Sequence, residues 1–120
     1  MKIFLIIAIQ FFLLSGCATK VSQSNLYWGD YSRTLYNTKK EPSPSSNAEH
    51  EKELNEIVEK SKNMRLRVPP GVYAELGIFS NDRGDYEQAK AYFKLEQENY
   101  PKAEVLMKRT LNNSTQVKTI

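Results

Sequence analysis

The chain opens with an apolar run and continues as short amphipathic segments separated by proline, glycine and asparagine. Residues 3–14 are apolar except for Gln10, and this run is shorter than the roughly 20 apolar residues of a membrane-spanning helix. A lysine precedes the run and small residues follow it, which is the layout of a secretory signal peptide. We therefore predict that residues 1–16 are a cleaved signal peptide.

The first amphipathic segment covers residues 26–37 and is rich in aromatic side chains. Tyr27, Tyr31 and Leu35 recur at every fourth position, which is the spacing of one helix face. Gly29 interrupts this pattern and costs about 1 kcal/mol relative to alanine inside a helix. The rings of this segment either anchor a core, form a docking patch, or lie at a lipid interface, where amphipathic aromatic side chains are common.

The second amphipathic segment covers residues 48–64 and follows a break in the pattern. Prolines at positions 42 and 44 exclude a continuous helix, so we predict a linker over residues 38–47. Ser46 and Glu49 have the spacing of a capping box at the start of the next helix. The apolar stripe of that helix contains Leu54, Ile57, Val58, Ser61 and Met64.

Residues 70–103 contain two further helical patterns with a turn between them. The sequence Asn81-Asp82-Arg83-Gly84 has the composition of a turn, and Asp85 is placed to cap the second helix. The small residues Gly77 and Ala89 are expected where the two helices cross closely. The segment therefore predicts a helical hairpin.

This hairpin resembles a tetratricopeptide repeat, in which large, small and aromatic residues recur at fixed intervals before a final proline. Ser80 and Glu96 stand where the repeat usually has an aromatic residue and an alanine, and a generic helical hairpin is the alternative. One unit cannot bury both of its faces alone, so we expect flanking helices over residues 48–64 and 102–111 to cover it. The matching positions are Tyr73, Leu76, Gly77, Gly84, Ala89, Phe93 and Pro101.

Together these segments predict an all-α fold, in which one tetratricopeptide-like hairpin is flanked by packing helices. The helical domain is expected over residues 26–111 and a flexible tail over residues 112–120.

The formal net charge of the full chain is +3, which gives no basis for nucleic-acid binding. The chain contains a single cysteine, Cys17, so no disulfide can form within it.

That cysteine ends the sequence Leu14-Ser15-Gly16-Cys17, which resembles the lipobox of bacterial lipoproteins. The resemblance implies cleavage between Gly16 and Cys17, with covalent diacylglyceryl and N-acyl groups on Cys17. A plain signal peptide or a short anchor with an incidental cysteine is the alternative. Residues 18–25 are rich in Ser, Thr, Gln and Asn, as expected of a flexible tether over residues 17–25. Ala18, where an aspartate would mark inner-membrane retention, implies the outer membrane, on its periplasmic side.

The residue types present do not favour an enzyme. A hydrolase needs a nucleophile, a base and an orienting group, and the cysteine is expected to carry lipid. The only histidine, His50, is expected at the edge of a charged helix without a partner. The acidic residues are expected on solvated faces, and no phosphate loop or metal-ligand spacing occurs in the sequence. We therefore expect no catalytic, cofactor-binding or metal-binding residues and no small-molecule substrate.

Three stretches after the lipobox, residues 26–31, Leu35-Tyr36 and Pro69-Pro70-Gly71, resemble a family of small bacterial lipoproteins, the domain-of-unknown-function 4810 family. The resemblance implies an outer-membrane lipoprotein of an envelope complex and brings no active site with it.

These observations favour a non-catalytic, lipid-anchored helical adaptor that binds other envelope proteins or lipoproteins, because repeat-like helix pairs offer a concave face for a peptide or helix. One alternative is a structural lipoprotein that contacts peptidoglycan or the membrane surface through basic residues such as Arg65 and Arg67. Another is a small secretion or lysis accessory lipoprotein. The candidate partner-binding residues are Trp28, Tyr31, Tyr36, Tyr73 and Tyr92.

Overall fold

The computed structural model describes residues 25–117, and the predicted signal peptide, Gly16 and Cys17 lie outside the described residues. Within this range the chain forms α-helices joined by short connections. The helices are α1 (Tyr31–Lys40), α2 (Pro44–Asn63), α3 (Val72–Asp82), α4 (Tyr86–Asn99) and α5 (Glu104–Val117), with a 3-10 turn at Pro101–Ala103 before α5. The predicted all-α fold is therefore confirmed.

Helices α3 and α4 form the predicted tetratricopeptide-like hairpin, with a turn at residues 83–85 between them. The Asp85 carboxylate caps α4 by accepting a hydrogen bond from the backbone N–H of Gln88 at 3.2 Å. The helices cross closely at Gly77, where a Cβ would lie 2.5 Å from Cε1 of the buried Phe93 ring. Glycine is required at this crossing because any larger side chain would displace that ring from a close-packed core.

The two residues that depart from the repeat pattern are both buried, and both bind backbone groups. The Ser80 hydroxyl donates a hydrogen bond to the Leu76 carbonyl oxygen at 3.0 Å. The Glu96 side chain is 3% exposed, and its Oε1 accepts a hydrogen bond from the backbone N–H of Gly71 at 2.8 Å. The positive end of the α3 dipole favours a carboxylate at this point. The expectation that acidic residues lie on solvated faces is therefore wrong for Glu96.

The apolar core has two clusters, one on each side of the hairpin. Between α2 and α3 lie Leu54, Ile57, Val68, Val72, Tyr73 and Leu76. Between α4 and α5 lie Ala89, Phe93 and Met107. As predicted, α2 packs on one side of the hairpin and the C-terminal helix packs on the other. In the predicted α2 stripe, Leu54, Ile57 and Ser61 are buried, whereas Met64 is exposed.

The first helix begins at Tyr31 and not at residue 26 as predicted. Gly29 is the cause, because it adopts φ +47°, a left-handed conformation that glycine reaches without steric cost. The chain therefore turns before α1. The Glu53 carboxylate on α2 accepts a hydrogen bond from the backbone N–H of Asp30 at 2.8 Å, which satisfies one of the free donors at the start of a helix.

Most of the predicted linker over residues 38–47 is helical, because α1 and α2 extend into it from both sides. Helix α2 begins with Pro44, and proline suits a first helical position because the N–H that it lacks would have no helical partner there. The capping box lies at Ser43 and Ser46 and not at Ser46 and Glu49 as predicted. In this box each serine Oγ accepts a hydrogen bond from the backbone N–H of the other at 3.0 Å.

The C-terminal segment is more helical than predicted. Helix α5 continues to Val117, so residues 112–117 are not part of an irregular tail, while residues 118–120 lie outside the described range. The helix continues because no proline or glycine follows Met107, the residue that docks it on α4. Across residues 25–117, no helix is both long enough and apolar enough to cross a bilayer.

Candidate functional site: a groove where three helices meet

An open groove lies where α1, α2 and α3 meet, and its volume is about 650 Å³. One wall is apolar, and the rest of the lining is polar or charged, with Thr38, Lys39, Asn47, His50, Glu75 and Asp82. In a binding site, apolar side chains supply contact area and polar groups fix the orientation of the ligand. The apolar wall consists of Tyr31, Leu35, Pro42, Ile78 and Phe79.

The floor of the groove is a chain of side-chain hydrogen bonds that joins all three helices. Thr34 Oγ1 on α1 lies 2.7 Å from Nδ1 of His50 on α2. His50 Nε2 lies 2.8 Å from Oε2 of Glu75 on α3. The hydroxyl of Tyr31 on α1 donates a hydrogen bond to the other carboxylate oxygen of Glu75. We refer to these four residues as the His50 network.

Every member of the His50 network has a hydrogen-bond partner whether the imidazole is neutral or protonated. A neutral His50 with its proton on Nε2 donates to Glu75, and its Nδ1 accepts from the Thr34 hydroxyl. A protonated His50 donates from Nδ1 to Thr34, whose hydroxyl then donates to the Tyr31 carbonyl oxygen 3.1 Å away. A fully satisfied buried network of this kind stabilises one arrangement of the helices around it.

Aromatic rings enclose the imidazole on two sides. The Tyr31 ring centroid lies 5.4 Å from that of His50, and the Phe79 ring lies 6.3 Å away with an edge contact. Burial raises the pKa of the Tyr31 hydroxyl, and the hydrogen bond and negative charge of Glu75 raise it further. The hydroxyl therefore remains a donor to Glu75 at neutral pH.

The structure corrects the expectation for His50. Its side chain is 2% exposed and has two polar partners, whereas the sequence suggested a helix edge without a partner. A signal was present in the sequence, because His50 precedes Leu54, Ile57 and Ser61 on the same helical stripe. The partners on α1 and α3 have no sequence signature, since they meet His50 only through tertiary packing.

Thr34, His50 and Glu75 are the residue types of a hydrolytic triad, but here their hydrogen bonds join three helices and do not present a hydroxyl to a substrate. A triad presents its hydroxyl to a substrate, whereas Thr34 is 1% exposed and its hydroxyl lies beside the carbonyl oxygens of Asp30 and Tyr31. In the part of the chain that the structure describes, no group of three or more His, Cys, Asp and Glu side chains is placed to hold a metal ion.

The groove offers an apolar surface with an acidic component. Ile78 is 48% exposed, and the half-buried Phe79 lies beside it. The Glu75 carboxylate is 26% exposed, and Asp82 stands at the rim with Lys39 on the opposite helix. An aliphatic side chain next to a basic one would match this combination.

The five predicted partner-binding residues do not form one surface. Tyr31 lines the groove, and the half-exposed Trp28 makes an edge contact with it, at 5.2 Å between centroids. Tyr36 is exposed on α1 but lies outside the groove. Tyr73 is 4% exposed and stacks on Tyr92 at 6.2 Å. The prediction that Tyr73 lines a binding face is wrong, because its ring is part of the core between α2 and α3.

The fold defines a small all-α protein in which a repeat-like hairpin packs with two additional N-terminal helices, and an open groove lies where these two helices meet the first helix of the hairpin. The model of the DUF4810 family, a domain of unknown function, matches residues 26–110, and the chain belongs to this family. The match includes the groove, the His50 network and the hairpin. Comparisons with curated proteins and with solved structures give no match.

Proposed function

We propose that the protein is a non-catalytic, lipid-anchored helical adaptor that faces the periplasm and binds a segment of another envelope protein in the α1–α2–α3 groove. The observation that carries this proposal is the open groove with an exposed aliphatic residue, Ile78, above a rigid polar floor. Such a surface would recognise a partner by shape and apolar contact.

The chemistry of the groove favours one kind of partner segment. The aliphatic and aromatic wall would accept apolar side chains spaced along one face of a helix or a peptide. The exposed edge of the Glu75 carboxylate and the rim carboxylate of Asp82 would pair with a lysine or arginine of that segment. The proposed partner segment is therefore amphipathic and basic on one side.

The lipid anchor in this proposal is Cys17, with diacylglyceryl and N-acyl groups that hold the protein in the outer membrane. Support comes from the lipobox sequence at residues 14–17. Replacement of the thiol in Cys17→Ala should abolish acyl labelling and release the protein from the membrane fraction. A variant that is still processed and still fractionates with membrane would contradict the anchor.

Groove binding is tested by affinity purification of the acylated protein from detergent-solubilised envelopes. In Ile78→Asp a charge replaces the exposed aliphatic residue, which should remove the partner from the purified material. Ala91→Asp, a change of the same charge at an exposed position of α4, is the matched control and should retain it. Equal recovery of the partner by both variants would show that the groove is not the binding surface.

A further inference from the structure

The C-terminal end of α2 and the turn that follows it form a compact basic surface. Lys60, Lys62, Arg65 and Arg67 are all exposed there, and residues 60–67 contain no acidic side chain. Met64 lies among them and is 55% exposed. We refer to these five residues as the α2 tip. The nearest carboxylate in an ion pair with this group is Glu56, one turn earlier on α2, at 4.0 Å from the Lys60 ammonium. Cations around an exposed apolar side chain match the boundary between lipid headgroups and acyl chains.

The two arginines of the α2 tip lie beyond the helix, so a favourable interaction with the helix dipole does not explain their positions. The Arg67 guanidinium lies 5.4 Å from the centroid of the Tyr100 ring. Lys60 and Lys62 lie in the last turn of α2, where cations are favoured by the negative end of the dipole. Arg65 follows the helix and adopts φ 56°, while Leu66 closes the turn through a backbone hydrogen bond to Ser61 at 2.8 Å. This cap normally carries glycine. An exposed arginine stands there in spite of the steric cost of its Cβ.

The chain enters the folded domain beside this same surface. The Lys60 ammonium donates a hydrogen bond to the Tyr27 hydroxyl at 3.2 Å and lies 5.4 Å from the centroid of that ring. Tyr27 is close in sequence to Asn25, the first described residue. The peptide units between Cys17 and Asn25 span at most about 29 Å when fully extended. An anchor on Cys17 therefore restricts the α2 tip to the neighbourhood of the membrane.

We infer that the α2 tip is a membrane-contact surface that binds anionic phospholipid headgroups. This inference rests on the lipid anchor of the proposed function and adds to it an orientation. The acyl chains attach the protein to the membrane, and the attraction of the basic side chains to anionic headgroups determines which face of the domain lies toward the bilayer. Each basic side chain close to an anionic surface raises the binding constant for that surface by a factor of about five at 25 °C.

The chain carries its own probe for this contact, because it has a single tryptophan, Trp28, which follows Tyr27 directly and is 39% exposed. The acylated protein is reconstituted in phosphatidylcholine vesicles with or without phosphatidylglycerol, and a nitroxide on a fraction of the lipid headgroups quenches nearby indole fluorescence. Trp28 quenching should rise when phosphatidylglycerol is present and should fall again as salt is added, since exposed charges are screened by salt.

Matched variants separate the α2 tip from charge in general. A variant in which glutamine replaces Lys60, Lys62, Arg65 and Arg67 should lose the dependence of quenching on phosphatidylglycerol. A control with glutamine at Lys40, Lys90, Lys94 and Lys108, which are exposed on α1, α4 and α5, loses the same charge and should keep that dependence. Circular dichroism establishes that both variants are folded.

Two results would overturn the inference. One is Trp28 quenching in the unmodified sequence that is equal with and without phosphatidylglycerol, a measurement that needs no variant. The other is equal loss of the effect in the tip variant and the control. Flotation with pure phosphatidylcholine vesicles measures the acyl anchor separately. Protein that floats without any effect of phosphatidylglycerol contradicts only the orientation, whereas protein that fails to float contradicts the anchor.

Discussion

The carboxylate of Glu75 on α3 lies 2.8 Å from the imidazole Nε2 of His50 on α2, and this pair joins the two helices beneath the groove. His50 continues the chain of hydrogen bonds to Thr34, and Glu75 continues it to Tyr31. Helix α1 is therefore held at two points by a polar contact, in addition to its apolar packing. The shape of the groove depends on this arrangement.

Removal of the imidazole should destabilise the protein well beyond the effect of an average substitution. In His50→Ala the Thr34 hydroxyl and the Glu75 carboxylate lose their shared partner, and a buried cavity replaces the ring. The free energy of unfolding should fall by about 3 kcal/mol, measured by chemical denaturation. Lys52→Ala on the exposed side of the same helix is the control and should change it by less than about 0.5 kcal/mol. Similar values for the two variants would show that the His50 network does not support the fold.

The raised pKa of Tyr31 predicts a loss of stability at alkaline pH. In the unfolded chain this tyrosine ionises near pH 10, whereas in the folded protein burial and Glu75 keep it protonated to higher pH. Above pH 10 the unfolded state therefore binds fewer protons, and the free energy of unfolding falls as pH rises. In Tyr31→Phe this part of the decline should be absent. The comparison is a series of denaturation curves between pH 8 and pH 11, and parallel pH profiles for the two proteins would contradict the assignment.

The close crossing at Gly77 can be tested with a compensating change. Gly77→Ala gains about 1 kcal/mol of helix propensity, but its Cβ would displace the Phe93 ring, and overpacking costs about 1 to 3 kcal/mol. We expect net destabilisation. In the Phe93→Leu background the same alanine should cost less, with a coupling energy of at least about 1 kcal/mol between the two sites. Additive effects in the double mutant would show that the two residues do not meet.

Arg65 occupies a left-handed position that glycine fills without steric cost. Arg65→Gly should therefore raise the free energy of unfolding by about 0.5 kcal/mol, after the greater flexibility of glycine in the unfolded chain is subtracted. Arg65→Ala removes the same charge but retains a Cβ, and it should give no such gain. If alanine stabilised as much as glycine, the effect would come from charge and not from the backbone.

The sequence predicts the hairpin well because the intervals between its small and large residues follow directly from how the two helices pack. The small residue Gly77 lies against the large ring of Phe93 where the two helices approach closely, and Ala89 is buried in the same cluster as Phe93. Helix ends are less accurately predicted. The chain turns at Gly29 where the local sequence predicts a helix from residue 26. The helix cap lies at Ser43 where the local sequence predicts a cap at Ser46.

The groove could not be predicted in the same way. Its floor joins Thr34, His50 and Glu75 from three helices, and hydrogen bonds between residues far apart in sequence leave no periodic pattern. Aromatic residue type alone does not indicate position in the fold, and of the five candidates only Tyr31 lines the groove. Tyr73 is buried against Leu76 and its neighbours, because burial of a large ring in the core of a small domain is strongly favourable.

The most direct test of the adaptor proposal is site-specific photocrosslinking from the groove in intact envelopes. A photoreactive phenylalanine analogue at Ile78 should give one discrete crosslinked protein, with the crosslink in a segment that carries apolar side chains and a nearby lysine or arginine. The same analogue at Ala91 on α4 should not give that product. If Ile78 gives no discrete adduct, or if both positions give the same set of adducts, then the groove does not bind a partner and the central claim fails.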